Sequence, residues 1–465
     1  MLDVSGAVES LGSLLGRAAG PRRRLVSVTV AVEIADPSAV VFASRRADDR
    51  WFAWEQPDRD GFALAALGSA HEAVSRGPRR FDDLVEECSS ITRNRLAEEP
   101  EGLPAGAGAA WTGGFAFSED GARGPHWSSF PPALLVLPEL SLLRARGETW
   151  LTLNALLEPG ADPRAAAERL ERRLASLVDR PLPMPDPLPQ GATRIESVAP
   201  PRRYEEAVAA ATRRIDEGEL EKVVLAREVA VEAPAAHDPG AVFDTLRGVF
   251  PSCFCFCVGT PAGAFLGASP ELLVRRRGAS VATVALAGST RRSADPAVDD
   301  HLGEQLLHSA KNLREHEIVA RRIDRALAPR SVWVEAEAEP ALIKVANIQH
   351  LATPVHAQLA DPLSAIELAA LLHPTPAVGG EPREIAAAAI AELEDLDRGW
   401  YAGPVGWMDA TEDGEFCVAL RSALLRDRTA HLFAGAGIVA DSDPEAELAE
   451  TELKLEALLP LVASG

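Results

Sequence analysis

The chain has 465 residues, 47% of them hydrophobic and 25% charged, and 47 basic against 69 acidic side chains give a formal charge of −22. That mix excludes a disordered, collagen-like or coiled-coil chain, while the length, near three average domains, leaves the domain count open. So acidic a surface repels nucleic acid and anionic lipid, and any anionic substrate must be met by a strong local cation.

Alternation and β-branched content predict strands at Arg24–Ile34, Ala39–Ala43, Gly113–Phe117, Ala133–Leu137 and Thr149–Leu153. Ala161–Asp179 reads as an amphipathic helix. Pro181, Pro183, Pro185, Pro187 and Pro189 then alternate, a pattern that only an extended connection accommodates. This divides the chain into residues 1–195 and 196–465. Beyond it, helices are predicted at Tyr204–Glu217, Ala241–Val249, His301–Leu327, Pro362–Leu372, Pro382–Leu396 and Pro444–Leu459. Strands are predicted at Leu220–Val231, Phe254–Val258, Ala264–Leu266, Gly403–Trp407, Phe416–Arg421 and His431–Ala434. Strands cluster between long helices without a regular βαβ beat, which predicts an α+β fold.

Five cysteines are too few for a disulfide scaffold. Cys253, Cys255 and Cys257 alternate with Phe254 and Phe256; alternate strand positions cannot wrap a tetrahedral metal, so apolar packing is expected. No apolar run approaches the ~18 residues of a membrane span, and the first residues lack a secretory pattern. The expectation is a cytoplasmic monomer with neither membrane nor nucleic acid as partner.

Several polar residues could carry chemistry. Lys222 opens an apolar strand; such a lysine ordinarily snorkels from an edge, but in a closed cleft desolvation favours the neutral amine, the form that acts as a base. Glu271 lies in Ser269-Pro270-Glu271, which reads as a turn or helix start capped by Ser269. Glu304, His308, Lys311 and Glu315 would form one stripe on the helix His301–Leu327, ordinarily a solvated face. Glu447, Glu450 and Lys454 share a face of the closing helix, and two such helices brought together could offer carboxylate oxygens to Mg²⁺. Ala287-Gly288-Ser289 and Ala434-Gly435-Ala436-Gly437 permit close backbone approach, yet neither has the context of a dinucleotide or Walker motif, so NAD and ATP are rejected. Arg421 could grip a carboxylate with two parallel bonds.

Taken in order, these segments resemble the chorismate-utilising enzymes, and within them the isochorismate-forming branch. The resemblance runs through KVVLAR (222–227), GASPELL (267–273), LAGSTRR (286–292), SAKNLREHEIV (309–319), IQHL (348–351), HPTPAVGG (373–380), GWYAGPVGW (399–407), VALRS (418–422), AGAGIV (434–439) and DPEAELAETELK (443–454). It is weaker before residue 195, in WFAWEQP (51–57), GGFAF (113–117) and the run from Trp127 to Pro138. Lys222 stands where amide-transferring relatives usually carry Gln, and Ala287 where aminodeoxychorismate enzymes place a nucleophilic Lys. Asn312 stands where an acidic residue is frequent, which removes one carboxylate near the metal.

The resemblance implies two large, mainly antiparallel sheets packed face to face with helices outside, the proline-rich stretch joining two halves of one body. It implies a reversible, Mg²⁺-dependent conversion of chorismate to isochorismate, a product that can feed menaquinone or a siderophore. Glu315 and Glu450, with Glu447 nearby or through water, would hold Mg²⁺ against the ring carboxylate. Lys222 would deprotonate the water that adds at C2, and Glu271 would protonate the departing C4 hydroxyl. Arg421, Tyr401 and Gly435 would hold the enolpyruvyl carboxylate with Lys454 nearby, while Gly288 and Ser289 line the ring. Two alternatives stay open: a salicylate synthase that goes on to eliminate pyruvate, and a non-catalytic chorismate-binding protein.

Overall fold

A computed structural model describes residues 5–184, 191–345 and 348–463. Pro185, Pro187 and Pro189 of the alternating run lie outside the described residues. Two large sheets, of 13 and 10 strands, form the body, and nearly all their pairings are antiparallel, Arg24–Val32 beside Leu96–Glu98 being parallel. Both sheets combine strands from before and after the proline-rich stretch. In the larger sheet Trp51–Gln56 pairs with Phe254–Thr260, setting Trp54 opposite Phe256. In the smaller, Ala110–Phe115 pairs with Pro404–Asp409, setting Gly113 opposite Gly406.

The main core lies between the sheets and is built from their alternate residues: Trp54, Phe256, Phe265 and Leu225 from one, Phe115, Leu134, Trp407 and Phe416 from the other. Burying large aromatic side chains drives this face-to-face packing. The period-2 geometry of a strand sends Phe254 and Phe256 into that core and Cys253, Cys255 and Cys257 into a second one on the opposite face. There the cysteines pack with Phe42, Phe243 and Leu246, and all are free thiols. A third core sits under the helices Ser5–Ala18 and Pro163–Ala175.

Two predicted elements are corrected. Ala39–Ala43 is not a strand but lies in the helix Pro37–Ser44, because Asp36 accepts the Ala39 N–H at 3.0 Å and Pro37 occupies the first turn. His301–Leu327 is not one helix but two, Pro296–Leu307 and Ala310–Leu327. Ser309 caps the second by accepting the Asn312 N–H, so the chain turns at His308. The expected polar stripe therefore divides. Glu304 and His308 stay exposed, whereas Lys311 and Glu315 turn towards the closing helix Pro444–Leu455 and the strand that begins at Lys222.

Candidate active site

The strands Gly263–Ser269 and Leu272–Arg277 belong to different sheets, so Ser269-Pro270-Glu271 is the crossing between them. The same holds for Gly414–Val418 and Ser422–Arg426, joined through Ala419, Leu420 and Arg421. The crossings are tied together: the Ser269 hydroxyl donates to the Val418 carbonyl, and the Val418 N–H donates to the Glu271 carbonyl at 3.1 Å. Glu271 thus sits in a turn between strands, not at a helix start. Phe416–Arg421 is a strand only as far as Val418; Arg421 then adopts φ +45°, a strained left-handed conformation that breaks the ladder.

Between these crossings lies a cavity lined by Glu271, Gly288, Ser289, Glu315, Tyr401, Arg421, Gly435, Glu450 and Lys454. Nine of the expected site residues are thus brought together from segments far apart in the chain. Lys222 and Glu447 are not among the lining residues and stand directly behind it. Lys222 is fully buried with Nζ 2.8 Å from Glu315 Oε1, so it does not snorkel. Glu447 is turned to Lys311, Nζ to Oε1 2.7 Å, and Glu450 Oε1 is 2.8 Å from Lys454 Nζ. Each of the three expected metal-holding carboxylates therefore faces one lysine.

The strand Thr429–Ile438 shows why glycine recurs there. A Cβ at Gly437 would lie 2.4 Å from Glu315 Oε1 and 3.0 Å from Lys222 Cε, so only glycine leaves room for that ion pair. A Cβ at Gly435 would meet the Tyr401 hydroxyl at 3.3 Å. Gly288, at φ +77°, occupies a bulge in the pairing of Ser280–Arg291 with Ile348–Leu359, where the register slips between Ala287 and Ser289. The bulge aims Ser289 Oγ at Glu450 Oε1, 3.1 Å away.

The electrostatics separate the two kinds of carboxyl. Burial pushes Glu271 up to about 8, against the opposing pull of Lys222 and the Thr375 hydroxyl, so it carries its proton at neutral pH. Burial also works to raise Glu450, but Lys454 and Ser289 outweigh it and hold the group below its ordinary value. Glu447 is raised by burial and by the repulsion of Glu450. Burial lowers Arg421. Its Nη2 lies 2.9 Å from His350 Nε2, while its buried Nη1 has no hydrogen-bond partner among the described residues. An arginine donor left open in a cavity wall is a receptor for an anionic oxygen.

Sequence reasoning missed His350, Thr375, Val378 and Phe433. His350 lines the cavity and is held neutral by burial and by Arg421 and Lys454 beside it. Thr375 donates to Glu271 Oε1 at 3.4 Å, Val378 lines the wall, and Phe433 stacks on Tyr401 with centroids 5.4 Å apart. His350 and Thr375 lie within IQHL and HPTPAVGG, but nothing in their spacing shows what faces them.

Two large sheets joined by chain crossings, with a cavity lined by both carboxylates and cations, define a class, and the chain belongs to the chorismate-binding enzyme family, whose sequence profile matches residues 12–463. It is 38% identical over 436 residues, 93% of this chain and 89% of the relative, to the salicylate biosynthesis isochorismate synthase of Pseudomonas aeruginosa. It is 34% identical over 444 residues, 94% of this chain and 93% of the relative, to the isochorismate synthase MenF of Bacillus subtilis. Among solved structures, it matches the menaquinone-specific isochorismate synthase MenF from Escherichia coli with a TM-score of 0.81, 28% identity and 99% of both chains covered. Anthranilate synthase component I from Streptococcus pneumoniae shares the fold, at a TM-score of 0.68 and 22% identity over 85% of this chain and 92% of that one. Among the described residues, no helix is long and apolar enough to cross a membrane.

Proposed function

We propose that this protein is an isochorismate synthase, an isomerase that adds water at C2 of chorismate and removes the C4 hydroxyl. One observation carries the reading: a fully buried Glu271, kept protonated up to about pH 8, shares a cavity wall with Glu315, which is paired to the buried Lys222. Hydroxide is a poor leaving group, so its departure needs an acid, and water at neutral pH needs a base to become a nucleophile. Glu271 supplies the proton to the C4 oxygen, and Lys222, acting as the free amine, takes one from the attacking water. Relatives named isochorismate synthase, aligned over nine-tenths of this chain, support the same reaction.

The donor set fits Mg²⁺: Glu315 and Glu450 both open onto the cavity and offer hard carboxylate oxygens, with Glu447 one layer behind. When bound, the ion would neutralise the ring carboxylate of chorismate. Arg421, through its open Nη1, receives the enolpyruvyl carboxylate beside Tyr401 and the Gly435 backbone, and Lys454 balances the charge nearby. Gly288 and Ser289 flank the ring. The enzyme reads as a cytoplasmic monomer.

Incubation with chorismate and Mg²⁺, followed by chromatography, tests the proposal. Isochorismate alone is expected. Salicylate with pyruvate would make it a salicylate synthase, and tight chorismate binding without turnover would leave only a binding protein.

A further inference from the structure

Outside the cavity lies a second constellation, His126, Glu228 and His431, whose ligand atoms all fall within 4.8 Å of one another. Glu228 and His431 are diagonal neighbours on paired strands, since Glu228 faces Phe433 and Ala230 faces His431. His431 Nδ1 is 2.7 Å from Glu228 Oε1. His126 arrives on the short turn Pro125–Trp127, and its ring lies over that of His431 with centroids 4.5 Å apart.

That turn is a fixed platform. Arg426 Nη1 donates to the His126 carbonyl at 2.8 Å, and the N–H groups of Ala122 and Gly124 donate to Asp397 at 2.9 and 2.8 Å. Trp127 is buried and packs on Phe265 and Phe433. Yet His126 Nε2 is itself buried and has no hydrogen-bond partner among the described residues. Buried polar atoms are nearly always satisfied, by protein, water or an ion.

We propose that His126, Glu228 and His431 bind a divalent transition-metal ion of the Zn²⁺ class, at a site separate from the catalytic cavity. Two imidazoles and one carboxylate match the preference of Zn²⁺, and not that of Mg²⁺, which takes oxygen ligands. Three protein ligands leave a fourth position for water. Donors of a tetrahedral Zn²⁺ stand about 3.3 Å apart at bond lengths of ~2.0–2.1 Å, so the constellation closes when the His126 ring turns out of its stack on His431 and the two in-plane lone pairs converge. Binding pins the turn to the strand Thr429–Ile438, which also carries Gly435 and Gly437.

Calorimetric titration of the full chain with Zn²⁺, in excess Mg²⁺, tests this. One Zn²⁺ per chain is expected, with His126→Gln and His431→Ala each weakening it at least about tenfold, by loss of one of three ligands. Co²⁺ in place of Zn²⁺ should give the visible absorption of a tetrahedral nitrogen–oxygen site, and neither variant should show it. Thermal melting of each variant without metal, matched to the parent, establishes that the fold survives; should one fail to fold, Glu228→Gln replaces it. Absence of stoichiometric binding in the parent, or equal binding in the variants, overturns the proposal. Isochorismate formation is expected to persist in His126→Gln, so this outcome is independent of the catalytic assignment.

Discussion

Arg173 and Arg421 are both buried arginines, and they are used in opposite ways. In the first half of the chain, Arg173 directs two nitrogens to the Asp49 carboxylate and its Nε to Glu139 Oε2 at 3.4 Å. Every nitrogen has a partner, and Arg169 completes the cluster at Glu139. Arg421 contacts a neutral imidazole through Nη2 and leaves Nη1 open. It is set by a left-handed backbone, where Arg173 rides on a regular helix. A saturated buried ion cluster holds chain segments in place, whereas one with donors left over is built for something that arrives later.

This contrast predicts where substitutions act. The largest effect is expected from the metal: EDTA should abolish turnover and Mg²⁺ restore it, while Glu315→Gln and Glu450→Gln should resist rescue at ordinary Mg²⁺. Full activity of both variants in chelator would remove the metal assignment. Next come the proton-transfer groups, where Lys222→Ala and Glu271→Gln should each lower kcat by about 10²–10⁴-fold. In the proposed role Glu271 acts while protonated, so activity should fall as pH rises through about 8, and Glu271→Gln should erase that limb. A limb at the same pH in the variant would assign it to another group.

A smaller loss is expected at Arg421. Arg421→Lys keeps the charge but loses the planar fork, so KM should rise by about tenfold with kcat less affected. An unchanged KM would put the enolpyruvyl group elsewhere. The smallest effect on catalysis belongs to the saturated cluster. Asp49→Ala should cost about 3 kcal/mol of stability by leaving two Arg173 nitrogens open while Nε keeps Glu139, read as a lower denaturant midpoint, with kcat per folded molecule unchanged. Equal catalytic losses at Asp49 and Arg421 would break the comparison.

Much of the fold was legible because local chemistry and tertiary outcome agree. The run Ala133–Leu137 is a strand with the predicted bounds, and Cys253, Cys255 and Cys257 alternate with phenylalanines because the two faces meet different cores. The helices at 37–44 and 310–327 were misread although their caps, Asp36-Pro37 and Ser309, stand in the sequence. There apolar β-branched composition and a continuous periodicity hid the cap.

The sequence by itself determined which residues could do the chemistry, since acids, bases and glycines at those positions are chemical facts independent of the fold. Only the tertiary structure decided what each faces. Glu271 becomes an acid usable near neutral pH because the crossing between sheets buries it. Lys222 meets Glu315 because Gly437, lacking a Cβ, leaves the space beside both side chains clear. His350 gains its place from a strand pairing, and its contact with Arg421 spans 71 residues. Proton affinity and pairing depend on burial and on neighbours distant in the chain, and neither quantity exists until the two sheets close.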